Sequence, residues 1–392
     1  MIYLDNAATT KIDPEVLNEM EPYLTHDYGN AGSLHSKGRD AYNAVKKARE
    51  QVADFIHASP DQIVFTGSGS EANNMVINNA MYHILNGKKF RIVTTPVEHD
   101  SILNPLKVYR YGLNLGFMTD YLRLDDYEQY EDEYQKNIVP NKNQIQLVSV
   151  MRTNNETGVF SPVSAIGEVC SALHIPFHTD CVQAAGYGEM NVHYIKCDFM
   201  TLSAHKIHGP KGVGALFVKD PKNFFPLIHG GKAQEFGLRG GTENIAGIVG
   251  FGKACEMAKA DTGAISRIDS LVSVFVDVLR KEIDRLNADK LAGIRYAFNS
   301  PVTATKVINV RFDGIRAETL IMMLDSQGIC VSAGSACNAS DGTPSHVLKA
   351  IGLTDEQARS SIRVSFSRFN TNDDAIQGAK AIAKCVHKLK NM

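Results

Sequence analysis

Along the chain, short runs of β-branched and apolar residues alternate with longer stretches in which apolar positions recur every third or fourth residue. Turn residues punctuate the two kinds of segment. The runs at 62–65, 91–94, 144–150, 175–178, 199–203 and 213–218 predict buried strands. After Ser70, the residues Ala72, Val76, Ala80 and Ile84 recur at i+4 with Met75, Ile77 and Met81 beside them, until Gly87 stops the pattern. That segment predicts a helix leaving a glycine-rich turn directly. Residues 120–136 are acidic, with Tyr127, Tyr130 and Tyr134 at helical spacing, and predict a solvated helix with an aromatic inner stripe. From 258 to 283 the pattern becomes one long amphipathic helix, followed by strands near 307–312, 329–332 and 361–365. The alternation points to an α/β protein, with a smaller C-terminal domain beginning at the long helix.

Composition narrows the class. A chain of 392 residues at 44% apolar and 21% charged fits a soluble globular protein of about two to three domains. A net charge of −2 supplies no field for phosphate backbones or anionic lipid, so neither nucleic acid nor a membrane is expected as a partner. No run approaches the ~18 apolar residues of a membrane span, and the first residues lack a basic, apolar leader, which reads as cytoplasmic. The 7 cysteines, at 170, 181, 197, 255, 330, 337 and 385, are odd in number and form no C-x-x-C pair. At least one thiol is therefore free, and no metal site is expected.

Three segments carry chemistry. GSGSE at 67–71 lies between a predicted strand and a predicted helix, where backbone N–H groups and the helix dipole can converge on a phosphate. The alternative is a plain tight turn capped by Ser70. SAHKIHGPKG at 203–212 sets Lys206 directly after a predicted buried strand, and a desolvated lysine is a candidate for Schiff-base chemistry. HTDCVQ at 178–183 ends another strand and presents Asp180, either as a cap or as the partner of a pyridinium nitrogen that has to stay protonated. Together these are the parts a pyridoxal phosphate site requires.

Further blocks occur in order: YLDNAATT at 3–10, YGNAGSLH at 28–35, Glu98-His99, NNETG at 154–158, RGGTEN at 239–244, SAGSAC at 332–337 and SIRVS at 361–365. With them, and over nearly its whole length, the chain resembles a cysteine desulfurase of the NifS/IscS type. That family is a branch of the fold-type-I pyridoxal-phosphate enzymes in the class V aminotransferase superfamily. The resemblance implies a mostly parallel central sheet flanked by helices in a large domain at 14–258, and a small α+β domain formed by 1–13 with 259–392. It implies that Lys206 carries pyridoxal 5'-phosphate, that His99 stacks on its ring and moves protons, that Asp180 pairs with the ring nitrogen, and that Gln183 meets the phenolic oxygen. Gly69, Ser70, Ser203 and His205 would bind the phosphate, with Thr242 lent across a homodimer interface. Asn155 and Arg363 would hold substrate, Arg363 through a bidentate carboxylate contact.

Cys337 would be the nucleophile, on an exposed, swinging loop at 335–342, turning L-cysteine into L-alanine and an enzyme persulfide. The persulfide would pass to a protein acceptor such as an iron–sulfur scaffold or a thiolation protein. Cys170, Cys197, Cys255, Cys330 and Cys385 read as core. The chain departs from the family pattern at Cys181 (usually alanine), Ser70 (usually threonine), Phe236 (usually arginine) and Arg152 (usually histidine). The rivals are a selenocysteine lyase, an aminotransferase, against which Cys337 argues, and a silent sulfur-carrying scaffold. A scaffold would have no use for Lys206, Asp180 and Arg363 together.

Overall fold

The strands, in chain order, are β1 (Ile2–Tyr3), β2 (Ile63–Thr66), β3 (Arg91–Thr94), β4 (Met118–Tyr121), β5 (Ile145–Ser149), β6 (Phe177–Asp180), β7 (Phe199–Ser203), β8 (Gly214–Val218), β9 (Tyr296–Phe298), β10 (Val307–Phe312), β11 (Ile329–Cys330) and β12 (Ser361–Ser365). They are seen in a computed structural model that describes residues 1–87, 89–113, 115–122, 136–288, 293–301, 306–334 and 343–391. The tyrosine-rich helix expected at 120–136 falls almost wholly outside the described residues, and the part described at its start is the end of β4. Contacts divide the chain into two units. One comprises Lys11–Thr153 and Ser161–Asp261, and the other Met1–Thr10, Asn154–Phe160 and Thr262–Met392.

In the first unit, seven strands form one sheet in the order β2-β8-β7-β6-β5-β3-β4. The pairs β3·β4, β3·β5, β5·β6 and β6·β7 are parallel, whereas β8 runs antiparallel to both β7 and β2. This is the mostly parallel α/β sheet expected from the sequence. The central strands β6 and β8, and the edge strand β2, are buried at every position, as a sheet covered on both faces demands. Because β2, β3, β5, β6 and β7 share one direction, their C-terminal ends lie along one edge, the usual ligand edge of an open α/β sheet. From that edge emerge Gly67–Gly69 after β2, Glu98 and His99 after β3, Met151 after β5, Asp180 at the end of β6 and Lys206 after β7.

Helix α1 spans Pro14–Thr25, α2 Ser36–Phe55 and α3 Gly69–Leu85. The apolar residues of α3, among them Ala72, Met75, Val76, Ala80 and Met81, close over Val64, Ile92, Leu147 and Leu216 of the sheet. Fully burying each large apolar side chain there is worth about 1.5–3 kcal/mol, and this packing fixes the start of α3 against the sheet edge. A methyl group at Gly214 would lie 2.7 Å from the carbonyl carbon of Ser68 and 3.0 Å from the nitrogen of Gly69, so the first residue of β8 has to be glycine for α3 to begin where it does.

In the second unit, β10 lies between β12 and β9 in an antiparallel sheet, and β1 pairs with β11 in parallel. The helices Ala264–Ala288 and Asn372–Lys390 bury apolar stripes here, and Phe275 meets Phe366 edge to face at 5.7 Å. Two expectations need correction. The single helix read across 258–283 is two helices, Ile245–Ala260 and Ala264–Ala288, interrupted at Asp261, Thr262 and Gly263. Cys330 is half-buried rather than core, because β11 is a two-residue strand that pairs, among the described residues, with β1 alone. Cys170, Cys197, Cys255 and Cys385 are buried as expected.

The departure at Phe236 has a packing role in the first unit. Arg49 makes a bidentate bridge to the buried Glu235 at 2.7 Å on both arms, and Glu235 also accepts the N–H of Phe65. The guanidinium lies over the rings of both Phe65 and Phe236, 4.8 and 4.9 Å from their centroids. Glu235 and Phe236 both sit in the left-handed region, with φ of 42° and 60°. The aromatic ring thus covers an ion pair that tethers an otherwise strained turn.

Candidate active site

Lys206 ends the short turn Ala204–Lys206 that follows β7, half-buried beside the half-buried His205, while Ser203 is buried at the strand end. A methyl at Gly69 would lie 2.9 Å from Val182 Cγ2 and 3.5 Å from Ser203 Cβ, so the start of α3 touches the segments following β6 and β7. The sequence offered Ser70 as the helix cap. The cap is instead Ser68, whose extended backbone lets its Oγ accept the N–H of Glu71 at 3.1 Å. Ser70 is therefore a first-turn residue with its side chain exposed, and the N–H groups of Gly69 and Ser70 meet no acceptor among the described residues. Two unclaimed N–H groups at the positive end of a helix form an anion cradle.

Asp180 is 5% exposed. Its Oδ1 accepts the N–H of Val182 at 2.9 Å and its Oδ2 accepts Asn73 Nδ2 at 2.8 Å. It therefore does cap its own turn, yet no cationic side chain among the described residues pairs with it. Gln183 is buried one turn further on. The sequence does not mark Asn73 as a site residue, and the available signal was an amide among the mostly apolar buried positions of α3, which also include Asn79. Its Nδ2 also donates to Ser101 Oγ at 2.9 Å. Ser101 in turn lies 2.8 Å from Nδ1 of His99, which caps helix α4 (Asp100–Lys107). The structure thus brings Asp180, Asn73, Ser101 and His99 into one hydrogen-bonded line.

In the sequence Glu98 stands out only as the neighbour of His99. It is fully buried, and its carboxyl accepts Thr95 Oγ1 at 2.6 Å and the N–H of Met151 at 3.0 Å. Burial pushes its pKa from 4.5 up to about 8, a rise to which the Asp180 charge adds and which the two hydrogen bonds oppose. The folded state then holds this proton more tightly than the unfolded chain. The stabilisation is complete below the unfolded pKa and is lost as pH rises through about 8. Glu98→Gln should remove a loss on the order of a few kcal/mol. Thermal melts of wild type and variant from about pH 5 to about pH 9 should therefore converge or cross as pH rises, and parallel curves would contradict the shift.

Cys181 is also fully buried, 3.7 Å from Thr179 Oγ1, and burial pushes its thiol up to about 12 against the opposing pull of Arg152. It is a packed thiol, not a nucleophile.

The second unit carries a separate group. Arg363 is 1% exposed. It donates from Nη1 to the carbonyl of Asn155 at 2.9 Å and from Nη2 to Asp5 Oδ1 at 2.8 Å, and its buried Nε has no partner among the described residues. Asp5, unforeseen as a site residue, lies in the YLDNAATT block, and its role depends on a partner in β12. Asn155 itself is half-buried, and it is the backbone of this residue that holds the arginine. Cys337 lies outside the described residues. In the first unit, Thr242 is exposed, makes no side-chain hydrogen bond among the described residues, and lines a cavity of about 110 Å³ with Gly67, Gly212 and Arg239. Arg239 is bridged to Glu71 at 2.8 Å.

A mostly parallel sheet with a strand-end lysine, a strand-end buried carboxylate and a helix-start anion cradle has clear relatives. The family model described as Aminotransferase class-V matches residues 2–377. The chain is 37% identical over 392 residues to the cysteine desulfurase IscS of Dictyoglomus turgidum, covering 100% of this chain and 96% of that one. Among solved structures, a NifS-like protein superposes with a TM-score of 0.84 at 32% identity, covering 98% of each chain. SspA in complex with cysteine superposes with a TM-score of 0.74 at 32% identity, covering 95% of this chain and 100% of the other. The chain belongs to the aminotransferase class-V family, and within it to the cysteine desulfurases.

No helix of the described residues is long and apolar enough to cross a membrane.

Proposed function

We propose that this chain is a pyridoxal-phosphate-dependent cysteine desulfurase that converts L-cysteine to L-alanine and leaves the sulfur as a persulfide on Cys337. The observation that carries the reading is the buried Asp180 carboxylate, without a cation among the described residues, at the same sheet edge as Lys206 and the start of α3. A protonated pyridine is the kind of cation such a carboxylate suits. The residues present fit the cofactor in charge and in donor type. Gly69 and Ser70 offer unclaimed N–H groups to a phosphate, with Ser203, His205 and Thr242 as further donors. Asp180 takes the ring nitrogen, Gln183 the phenolic oxygen and His99 a ring face, and Lys206 is the covalent attachment point. Pyridoxal phosphate, when bound, supplies an electron sink that stabilises negative charge at the substrate Cα.

The chain's own residues do the rest. Arg363 and Asn155 bind the substrate, the guanidinium of Arg363 serving its carboxylate. Lys206, once displaced by the incoming amine, is the group of the right basicity to take the α-proton and return one to carbon. The Cys337 thiolate attacks the substrate sulfur, so that an S–S bond forms as the C–S bond breaks. The electron pair left on carbon is protonated, giving alanine. Thr242, exposed and without a side-chain hydrogen bond among the described residues, is the residue each subunit of a homodimer would lend to its partner's phosphate. Protein sulfur acceptors, such as an iron–sulfur scaffold or a thiolation protein, then take the persulfide. We place the enzyme in the cytoplasm, where its free thiols remain reduced.

Purified protein supplied with L-cysteine and a thiol reductant should give alanine and sulfide in equal amounts. Pyruvate and ammonia in place of alanine would contradict the reading. Asp180→Asn should lower turnover at least about tenfold, because a charge-assisted hydrogen bond worth on the order of 1.5–3 kcal/mol is lost. An unchanged rate would leave Asp180 as no more than a cap for its own turn.

A further inference from the structure

The amide of Asn73 is oriented by its neighbours. Asp180 Oδ2, 2.8 Å away, is a carboxylate oxygen accepting a hydrogen bond, so it is Nδ2 rather than Oδ1 that faces it. The cost of that orientation is visible, since Asn73 Oδ1 is buried with no partner among the described residues. The second Nδ2 proton goes to Ser101 Oγ at 2.9 Å. Ser101 Oγ is therefore an acceptor on that side and keeps its own proton to give, and His99 Nδ1 stands 2.8 Å away. The backbone N–H of Ser101 also points into Nδ1, at 3.1 Å, and a backbone N–H can only donate. Nδ1 thus faces two donors and carries the lone pair, which leaves the ring proton of neutral His99 on Nε2.

We infer that Ser101 and Asn73 are positioning residues that hold His99 as its Nε2–H tautomer and tie its orientation to Asp180. The two groups read as touching opposite parts of the cofactor are then set by one line of hydrogen bonds, Asp180–Asn73–Ser101–His99. His99 stands at that site as a neutral hydrogen-bond donor, and proton removal from substrate rests on Lys206. The inference deepens the proposed function, because the use made of His99 rests on that reading. The tautomer does not.

The test uses ¹⁵N-histidine NMR on the full chain, with and without pyridoxal phosphate, together with steady-state kinetics. In the wild type, His99 Nδ1 should resonate as a pyridine-type nitrogen and Nε2 as a protonated one, already in protein without cofactor. Ser101→Ala should shift both resonances towards a mixture of tautomers and lower kcat on the order of tenfold with KM little changed, the scale of one lost hydrogen bond. Ser101→Thr, which keeps the hydroxyl, should restore the tautomer and most of kcat. Asn73→Ala should move the His99 resonances in the same direction as Ser101→Ala. A wild-type His99 protonated on Nδ1, or a Ser101→Ala protein that folds with unaltered His99 resonances, would overturn the inference. If the tautomer responds as stated but no variant has desulfurase activity to lose, the proposed function fails and the positioning network stands.

Discussion

Lys206→Ala should give a folded, colourless protein that makes no alanine from L-cysteine. In the proposed reaction the amine at this position has two tasks. It bonds covalently to the cofactor's carbonyl carbon and releases it to the substrate, and it then takes the α-proton. Alanine can do neither. Proton transfer by a positioned group alone contributes typically about 10²–10⁴-fold, so the loss of turnover should be at least of that size. The residue is half-buried at the end of the 3₁₀ turn after β7 and contributes little to the core, so the fold should survive. Absorbance after dialysis against pyridoxal phosphate, with circular dichroism to show folding, checks the result. A coloured variant with normal turnover would remove Lys206 from the chemistry.

Cys337→Ser should separate cofactor chemistry from sulfur transfer. Serine keeps the size and polarity of the side chain but is not an effective nucleophile towards sulfur. The variant should therefore still bind cofactor and still change colour with L-cysteine, while alanine and sulfide fall to background. The comparison that makes this specific is Cys330. Cys330 is half-buried, and burial together with the charges of Asp325 and Asp5 pushes its thiol above the usual range, which lowers its thiolate fraction. Cys330→Ala should keep most of the activity. If the Cys330 change stops sulfide production and the Cys337 change does not, the persulfide has been given to the wrong residue.

The interior of the fold was legible in the sequence for a physical reason. Interior strands such as β3 (Arg91–Thr94) and β7 (Phe199–Ser203) are short runs of apolar and β-branched residues, buried at every position but the first because both faces are covered, and their expected bounds are the observed ones. Edge strand β4 (Met118–Tyr121) escaped, since only Thr119 is buried there while Met118 and Tyr121 are exposed. The two-residue β1 and the three-residue β9 are too short to carry a period. Helix α3 was readable from its apolar stripe, but its cap was misplaced by two residues because both Ser68 and Ser70 can cap. The choice is made by the extended backbone of Ser68.

The site was legible where one residue type does something rare, such as a lysine or an aspartate at a buried strand end. It was not legible where a common residue acts through a distant partner. Asn73 matters because α3 sets it against Asp180, Ser101 because α4 turns it onto His99, and Asp5 because the chain's first residues lie beside β12. The residues 154–160 group in contacts with Met1–Thr10 and Thr262–Met392, a grouping that no local pattern encodes.

The most direct measurement is the mass of the peptide containing Cys337 after a single turnover of L-cysteine labelled with heavy sulfur, without reductant. One labelled sulfur atom should be added to Cys337, matched by one alanine and removed by thiol treatment. Alanine formed with no labelled sulfur on Cys337, or with the label on another cysteine, would contradict sulfur transfer through this residue.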